Sequence, residues 1–182
     1  MFNIIVFMGP SGVGKSTIQK LMDFKPIITW TSRAPREGEI DGVHYNFTTK
    51  EHILEMDKDG MMLEHTEYNG NLYGTSLVSF EEIISNGQCR SVVLDANGVA
   101  KVKRQFADSV LVVGVNAPYE DCKGRLIKRN AGEDETVLRL STYSEEIESL
   151  MVLSDVVINN SDDNRLKVDE LVNRVKNQLC NE

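Results

Sequence analysis
Gly9-Pro10-Ser11-Gly12-Val13-Gly14-Lys15-Ser16-Thr17 follows directly on the apolar run Ile4-Ile5-Val6-Phe7-Met8 and leads into Ile18, Leu21 and Met22 at helical spacing. The segment fits G-x-x-x-x-G-K-[ST], the phosphate-binding loop, or P-loop, that joins a buried strand to a helix. A Gly-rich turn alone would be no more than a tight connection. The strand run before it and the amphipathic segment after it supply the context in which the motif binds a nucleotide. Backbone N–H groups can wrap a polyphosphate only where side chains are missing, and Gly9, Gly12 and Gly14 are read as clearing that space. Lys15 reaches the outer phosphates as a point charge, Ser16 offers a hydroxyl to Mg2+, and the helix starting near Lys15 aims its positive end at the anion. Pro10, Ser11, Val13 and Thr17 complete the nucleotide-binding stretch.

Upstream, residues 3 to 8 have the pattern of a central parallel strand covered on both faces. Its first residues lack a basic stretch and are too few to span a bilayer, so they read as strand and not as a signal. Downstream, the first helix is expected to run to about Phe24, followed by a short strand from Ile27 to Trp30 and a polar stretch to Phe47 without core period. Thr48-x-x-Glu51 reads as a capping box for a helix closed by Asp59-Gly60, and Ser79-x-x-Glu82 as another for a helix closed at Gly87. Asn69-Gly70, between runs at Met61 to Tyr68 and Asn71 to Leu77, is a hairpin signal.

From Ser91 a βα rhythm returns. It gives a strand to Leu94 ending in Asp95, a helix from Val99 to Phe106, a strand from Ser109 to Val115, and a helix from Pro118 to Lys128. A polar break at Asn130 to Asp134 precedes one long helix to about Leu153, a strand from Val156 to Ile158, and a last helix carrying Val168, Leu171, Val172, Val175 and Leu179.

The pattern predicts a three-layer α/β P-loop fold with a mostly parallel core sheet, an inserted mixed-β segment and a helical lid. One domain over residues 1–182 is expected, with core at 1–30, 78–124 and 141–182, the insertion at about 31–77 and the lid at about 125–140. A chain of 182 residues, 41% hydrophobic and 26% charged, is long enough for one substantial core and short for two. Its net charge of -8 argues against a nucleic-acid partner, because a polyanion needs a basic face. Cys89, Cys122 and Cys180 are odd in number and lack metal-ligand spacing, which fits a reduced, cytoplasmic setting without disulfides or zinc. Oligomeric state is left open.

The least core-like segment carries a second constellation. Arg33 and Arg36 flank Pro35, with Tyr45 and Tyr73 further on, and together they offer guanidinium forks and phenol hydroxyls to one phosphate. Taken with the P-loop, Thr29-x-x-x-Arg33-x-Pro35-Arg36-x-Gly38-Glu39-x-x-Gly42-x-x-Tyr45-x-Phe47, Glu64 and Tyr73-Gly74-Thr75 resemble the signature of the guanylate kinases, which move a phosphoryl group from ATP to GMP. The similarity in element order covers essentially the whole chain. It implies that Arg33, Arg36, Tyr45 and Tyr73 hold the GMP phosphate, that Glu39 orients the arginines, and that Thr29, Glu64 and Thr75 read the base. It further implies that Arg125, Arg129 and Arg139 act as lid arginines, that Asn160 lies near the adenine of ATP, and that Asp95 lies near Mg2+ and the GMP phosphate.

The chain departs from the family pattern at two places. Asn130-Ala131-Gly132 stands where a Gly-Thr-Glu is expected after Arg129, and Asp95-Ala96-Asn97-Gly98 shortens the turn and lacks a second carboxylate for guanine. Asp95-x-x-Gly98 also fits the switch motif of GTPases, but no Asn-Lys-x-Asp base-reading motif accompanies it. Two rivals to a GMP kinase are a kinase of the same fold for another phosphorylated acceptor and a non-catalytic phosphopeptide-binding module. The intact P-loop speaks against the second.

Overall fold
A computed structural model describes residues 2–68, 70–129 and 132–180, with side chains at 68, 165, 166 and 177–180 left aside. Asn69 of the turn signal, Asn130 and Ala131 of the lid tip, and the Leu179 side chain lie outside the described residues. The fold is built on strand β1 (Ile4–Met8), whose five residues are all buried. It pairs in parallel with β6 (Arg90–Val93) on one side and β7 (Val110–Asn116) on the other, and β8 (Val156–Asn159) extends the sheet beyond β7 in the order β6-β1-β7-β8.

Alternate β1 residues serve opposite layers, as the strand period dictates. Ile5 and Phe7 pack with Ile18 and Met22 of α1 (Lys15–Met22), Leu126 of α5 (Tyr119–Lys128) and Val168 and Val172 of α8 (Arg165–Cys180). Ile4, Val6 and Met8 pack with Phe80 of α3 (Leu77–Ser85), Val99 and Val102 of α4 (Ala96–Phe106) and Leu150 of α7 (Tyr143–Leu153). Each such fully buried side chain contributes about 1.5–3 kcal/mol from burial alone. The result is the expected three-layer α/β sandwich.

The inserted segment forms a separate mixed sheet, ordered β3-β2-β5-β4, from β2 (Trp30–Thr31), β3 (Asn46–Phe47), β4 (Met62–Tyr68) and β5 (Asn71–Ser76). Helix α2 (Lys50–Lys58) closes it with Ile53 and Met56 against Met62 and Leu72. A register shift between Met62 and Glu64 sets Glu64 opposite Thr75, and such bulges re-aim side chains.

Several expected boundaries move, each for a visible reason. The strand expected at Ile27 to Trp30 is displaced to Trp30–Thr31, because Pro26 and Ile27 instead meet Ser91 at the edge of the core sheet. Helix α1 ends at Met22, where Asp23 turns left-handed at φ 59°. Thr48 does not cap α2: its N–H donates to the Thr31 carbonyl, so the chain is still extended there and Thr49 caps the His52 N–H. Ser79 lies inside α3, which starts straight out of β5 at Leu77. Helix α4 begins at Ala96 and not Val99, because the Asp95 carboxylate caps the Gly98 N–H at 2.8 Å. The single long helix expected before Leu153 is two, α6 (Glu133–Leu140) and α7, broken at Ser141 and Thr142. Among the described residues no helix is long and apolar enough to cross a membrane.

Candidate active site
The P-loop emerges from the C-terminal end of β1, where ligands of open parallel sheets bind. Its glycines have positive φ, and a Cβ on Gly9 would lie 2.3 Å from the Val115 carbonyl oxygen, on Gly12 2.7 Å from that of Cys122, and on Gly14 2.3 Å from Asn160 Nδ2. This corrects the sequence reading of these residues: they let the loop lie flat on β7, α5 and the β8–α8 turn, so that the space they clear is occupied by the protein itself. Lys15 Nζ donates to the carbonyls of Gly9 (2.5 Å) and Pro10 (2.9 Å). Burial pulls its pKa down, opposed by the carboxylate of Glu146.

Behind the loop the side chain of Arg125 donates to the carbonyls of Gly12, Val13 and Asn160 and to Asp162. Asn160 is buried and its Nδ2 donates to the Val13 carbonyl at 2.7 Å. These two residues therefore face the rear of the loop, beside a cavity of about 280 Å3 that Arg129, Thr17 and Lys128 also line. Arg129 and Arg139 meet across a second cavity, of about 160 Å3, lined by Ser11, Gly12, Gly14, Lys15 and Ser16. Arg139 is set on α6 by a 2.6 Å ion pair with Glu135, one helical turn earlier.

The inserted sheet carries the second group. Arg33 pairs with both oxygens of Glu39 at 2.9 Å each, and Glu39 accepts a third bond from the Arg36 N–H at 2.7 Å. The Arg33 bond, followed by the Arg36 amide, lowers the Glu39 pKa to about 2. Arg33 lies 5.6 Å from the centre of the Tyr45 ring, and Tyr45 meets Tyr73 edge-on at 6.2 Å. Arg33 is held protonated first by Glu39, with a smaller contribution from the Tyr73 hydroxyl. Arg36 is exposed beside this cluster.

The P-loop and, through Tyr45 and Tyr73, the inserted group open onto one cavity of about 520 Å3, within the range of small-ligand sites, whereas Arg33, Arg36 and Glu39 stand behind the tyrosines and do not line it. Gly9, Ser11, Lys15, Ser16 and Arg139 line one part of its wall, and Thr29, Tyr45, Glu64, Tyr73 and Thr75 another. Glu64 is buried and accepts a 2.7 Å bond from the Thr75 hydroxyl. Burial raises its pKa, which the Thr75 bond partly offsets. Asp95 joins the cavity with Oδ1 on the Gly98 N–H and Oδ2 accepting from the Thr66 hydroxyl at 2.6 Å. Mg2+ needs only one or two protein oxygens beside substrate phosphates and water. The Ser16 hydroxyl and Asp95 carboxylate on one cavity wall fit that demand, and among the described residues there is no cluster of three or more His, Cys, Asp or Glu to compete.

A guanylate kinase family model matches residues 1–182. The chain belongs to the guanylate kinase family. It is 34% identical to a guanylate kinase of Oceanobacillus iheyensis, over 98% of this chain and 87% of that protein. To one of Lactococcus lactis it is also 34% identical, over 95% of this chain and 84% of that one. The crystal structure of guanylate kinase from Anaplasma phagocytophilum superposes with a TM-score of 0.70 at 27% identity, covering 97% of this chain and 83% of its own.

Within this guanylate kinase fold, sequence reasoning passed over three cavity or support residues. Thr66 and Glu146 reach the site from β4 and α7, and Asp162 holds Arg125. Thr66 has one signal in hindsight: it lies two residues after Glu64, on the same face of the strand. Glu146 and Asp162 had none, since their partners are distant in sequence.

Proposed function
We propose that the protein catalyses MgATP-dependent phosphoryl transfer to GMP or dGMP, giving GDP or dGDP and ADP. The observation that carries this reading is the single cavity with Lys15 and Ser16 on one part of its wall and the Glu64–Thr75 pair with Thr29 on another. The Glu64 carboxylate accepts from guanine N1–H and N2–H2, whereas adenine offers an acceptor at N1 and would leave Glu64 without a donor there. The Thr29 hydroxyl serves guanine O6, and the Thr75 hydroxyl, donating to Glu64, fixes that carboxylate for the base. Arg33, Arg36, Tyr45 and Tyr73 take the acceptor phosphate, with Glu39 fixing the arginine fork.

An oxygen of that phosphate is already anionic at neutral pH and needs no protein base. Catalysis is then positioning and charge stabilisation by Lys15, Arg129 and Arg139 in a site shut off from water. When bound, Mg2+ neutralises charge on the ATP phosphates, held through Ser16 and, by way of water, Asp95. ATP and GMP as partners, neither nucleic acid nor membrane, and three cysteines without a disulfide framework accord with a cytoplasmic enzyme.

One observation keeps a broader acceptor range in view. Both Asp95 oxygens are engaged by Thr66 and Gly98, and Asn97 stands where a second acid would assist guanine. The test is ADP release from MgATP with GMP, dGMP, AMP, CMP, UMP and ribose 5-phosphate as separate acceptors. Turnover confined to GMP and dGMP is expected. Turnover on another acceptor relocates the reaction, and none on any acceptor, with ATP still bound, replaces the enzyme by a binding module.

A further inference from the structure
The P-loop has a rear support as well as a binding face, and Arg125 is its centre. Its Nη1 donates to the carbonyls of Gly12 (3.3 Å) and Val13 (3.2 Å), its Nη2 to the Asn160 carbonyl (2.6 Å), and its Nε to Asp162 Oδ1 (3.1 Å). The same Val13 oxygen accepts from Asn160 Nδ2 at 2.7 Å. Asp162 is itself placed, with its N–H donating to Asp121 on α5 at 2.8 Å. Three segments distant in sequence, the loop, helix α5 and the turn after β8, thus meet on one guanidinium.

The consequence follows from peptide geometry. No cis peptide occurs among the described residues, and in a planar trans peptide the C=O and the following N–H point in opposite directions. Two donors hold the Val13 carbonyl toward the rear, so the Gly14 N–H is turned toward the front, where Lys15 and Ser16 line the cavity. Gly14 lies against this pair, since a Cβ there would be 2.3 Å from Asn160 Nδ2. A lysine cannot reproduce the support, because its single ammonium cannot span two loop carbonyls, Asn160 and Asp162 at once.

We infer that Arg125 is a positioning residue for the donor nucleotide: by anchoring the Gly12 and Val13 carbonyls against Asn160 and Asp162, it presents the Gly14 amide to the ATP phosphates. This rests on the proposed kinase reading for its substrate, and it departs from the expectation that Arg125 closes with the lid on the transferring phosphates. The two roles predict different behaviour from Asp162, whose carboxylate bonds Arg125 behind the loop and does not line the cavity that Lys15 and Ser16 face.

The experiment compares wild type with R125K, D162N and the double variant. It reads KM for ATP and for GMP, kcat, ADP affinity by calorimetry, and the 15N-amide shift of Gly14 on adding ADP. D162N alone should raise the ATP KM about threefold to tenfold with kcat within about twofold and the GMP KM unchanged, and R125K should raise it about tenfold to fiftyfold. The double variant should be no worse than about twice R125K, since both act through one contact set. The Gly14 shift on ADP should shrink in the order of these losses. A silent D162N with R125K lowering kcat at unchanged ATP KM overturns the inference in favour of a lid arginine, as do fully additive losses. Should R125K fail to fold, D162N decides alone. ADP affinity and the Gly14 shift need no turnover, so a wild type inactive on GMP would sink the kinase reading while leaving this one separately measured.

Discussion
The two ends of the cavity are organised by different physics. The donor end is held by shape: glycines with no room for a Cβ, backbone carbonyls received by Asn160 and Arg125, and a buried parallel strand behind them. The acceptor end is held by charge: two-residue strands β2 and β3, a largely exposed loop between them, and an Arg33–Glu39 fork that fixes the cluster. A site ordered by packing should fail when volume is added, and one ordered by ion pairs should fail when a charge is removed. A substitution made at one end should leave the KM for the other end's substrate nearly unchanged.

Gly14→Ala should have the largest effect, lowering kcat/KM for ATP on the order of 100-fold, because the left-handed backbone costs about 1–2 kcal/mol and the new methyl displaces Asn160. Adding Asn160→Ala should recover part of the loss, because it removes the collision and leaves the φ of +97°. Steady-state kinetics of both variants checks this, and an equal loss in the GMP KM would break the comparison. Next, Glu39→Gln should raise the GMP KM about tenfold with the ATP KM within about twofold, since the arginine fork loses its charged, bidentate partner.

The two acceptor-end carboxylates then sharpen the picture through pH. Glu39, at about 2, stays ionised across the working range, whereas burial lifts Glu64 above the usual carboxylate value. For Glu64 the folded state binds more protons than the unfolded chain between the two pKa values, so stability falls as pH rises through that window and is regained on acidification. Protonation at the same time removes the negative charge and turns one of the two acceptor oxygens facing guanine N1–H and N2–H2 into a donor. The GMP KM should therefore rise as pH falls through the raised pKa of Glu64, while the melting temperature does not fall from this group. Comparing wild type with Glu64→Gln isolates the effect from titration of the nucleotide phosphate. The smallest effect should come from Thr66→Val, which frees one Asp95 oxygen from a single hydrogen bond and should change GMP kcat/KM about threefold. Kinetics at fixed ATP would register it, and no change would place the Thr66–Asp95 bond outside the working site.

The donor end was the more legible in sequence, because its constraints are local: the loop lies within nine consecutive residues behind one apolar strand. The core sheet could be read for the same reason, since runs such as residues 110–115 are apolar whatever their neighbours. The acceptor residues were legible as types at set spacings, but not the bulge that aims Glu64 at Thr75. Helix starts were misplaced where tertiary hydrogen bonds decide them, as when the Thr31 carbonyl keeps Thr48 extended. The break between α6 and α7 was hidden because no Gly or Pro marks it. There the Ser141 hydroxyl donates back to the Leu138 carbonyl, and Thr142 pairs with Glu146. The rear support of the loop could not be read at all, because Arg125 and its carbonyl partners lie 112 and 113 residues apart in the chain.

Cys122 lies directly beneath Gly12, fully buried, with its S–H toward the Ala117 carbonyl at 3.7 Å. Burial pushes its thiol up to about 11, so at neutral pH almost none of it is the thiolate that alkylating reagents attack. Covalent labelling at this position requires the packing around the start of α5, where Gly12 rests on the Cys122 backbone and the side chain joins the core, to open locally, and the alkylation rate of Cys122 reports that opening. A nucleotide that tightens the loop against α5 should slow that rate, so that one cysteine already in the sequence reports on local opening without an added probe.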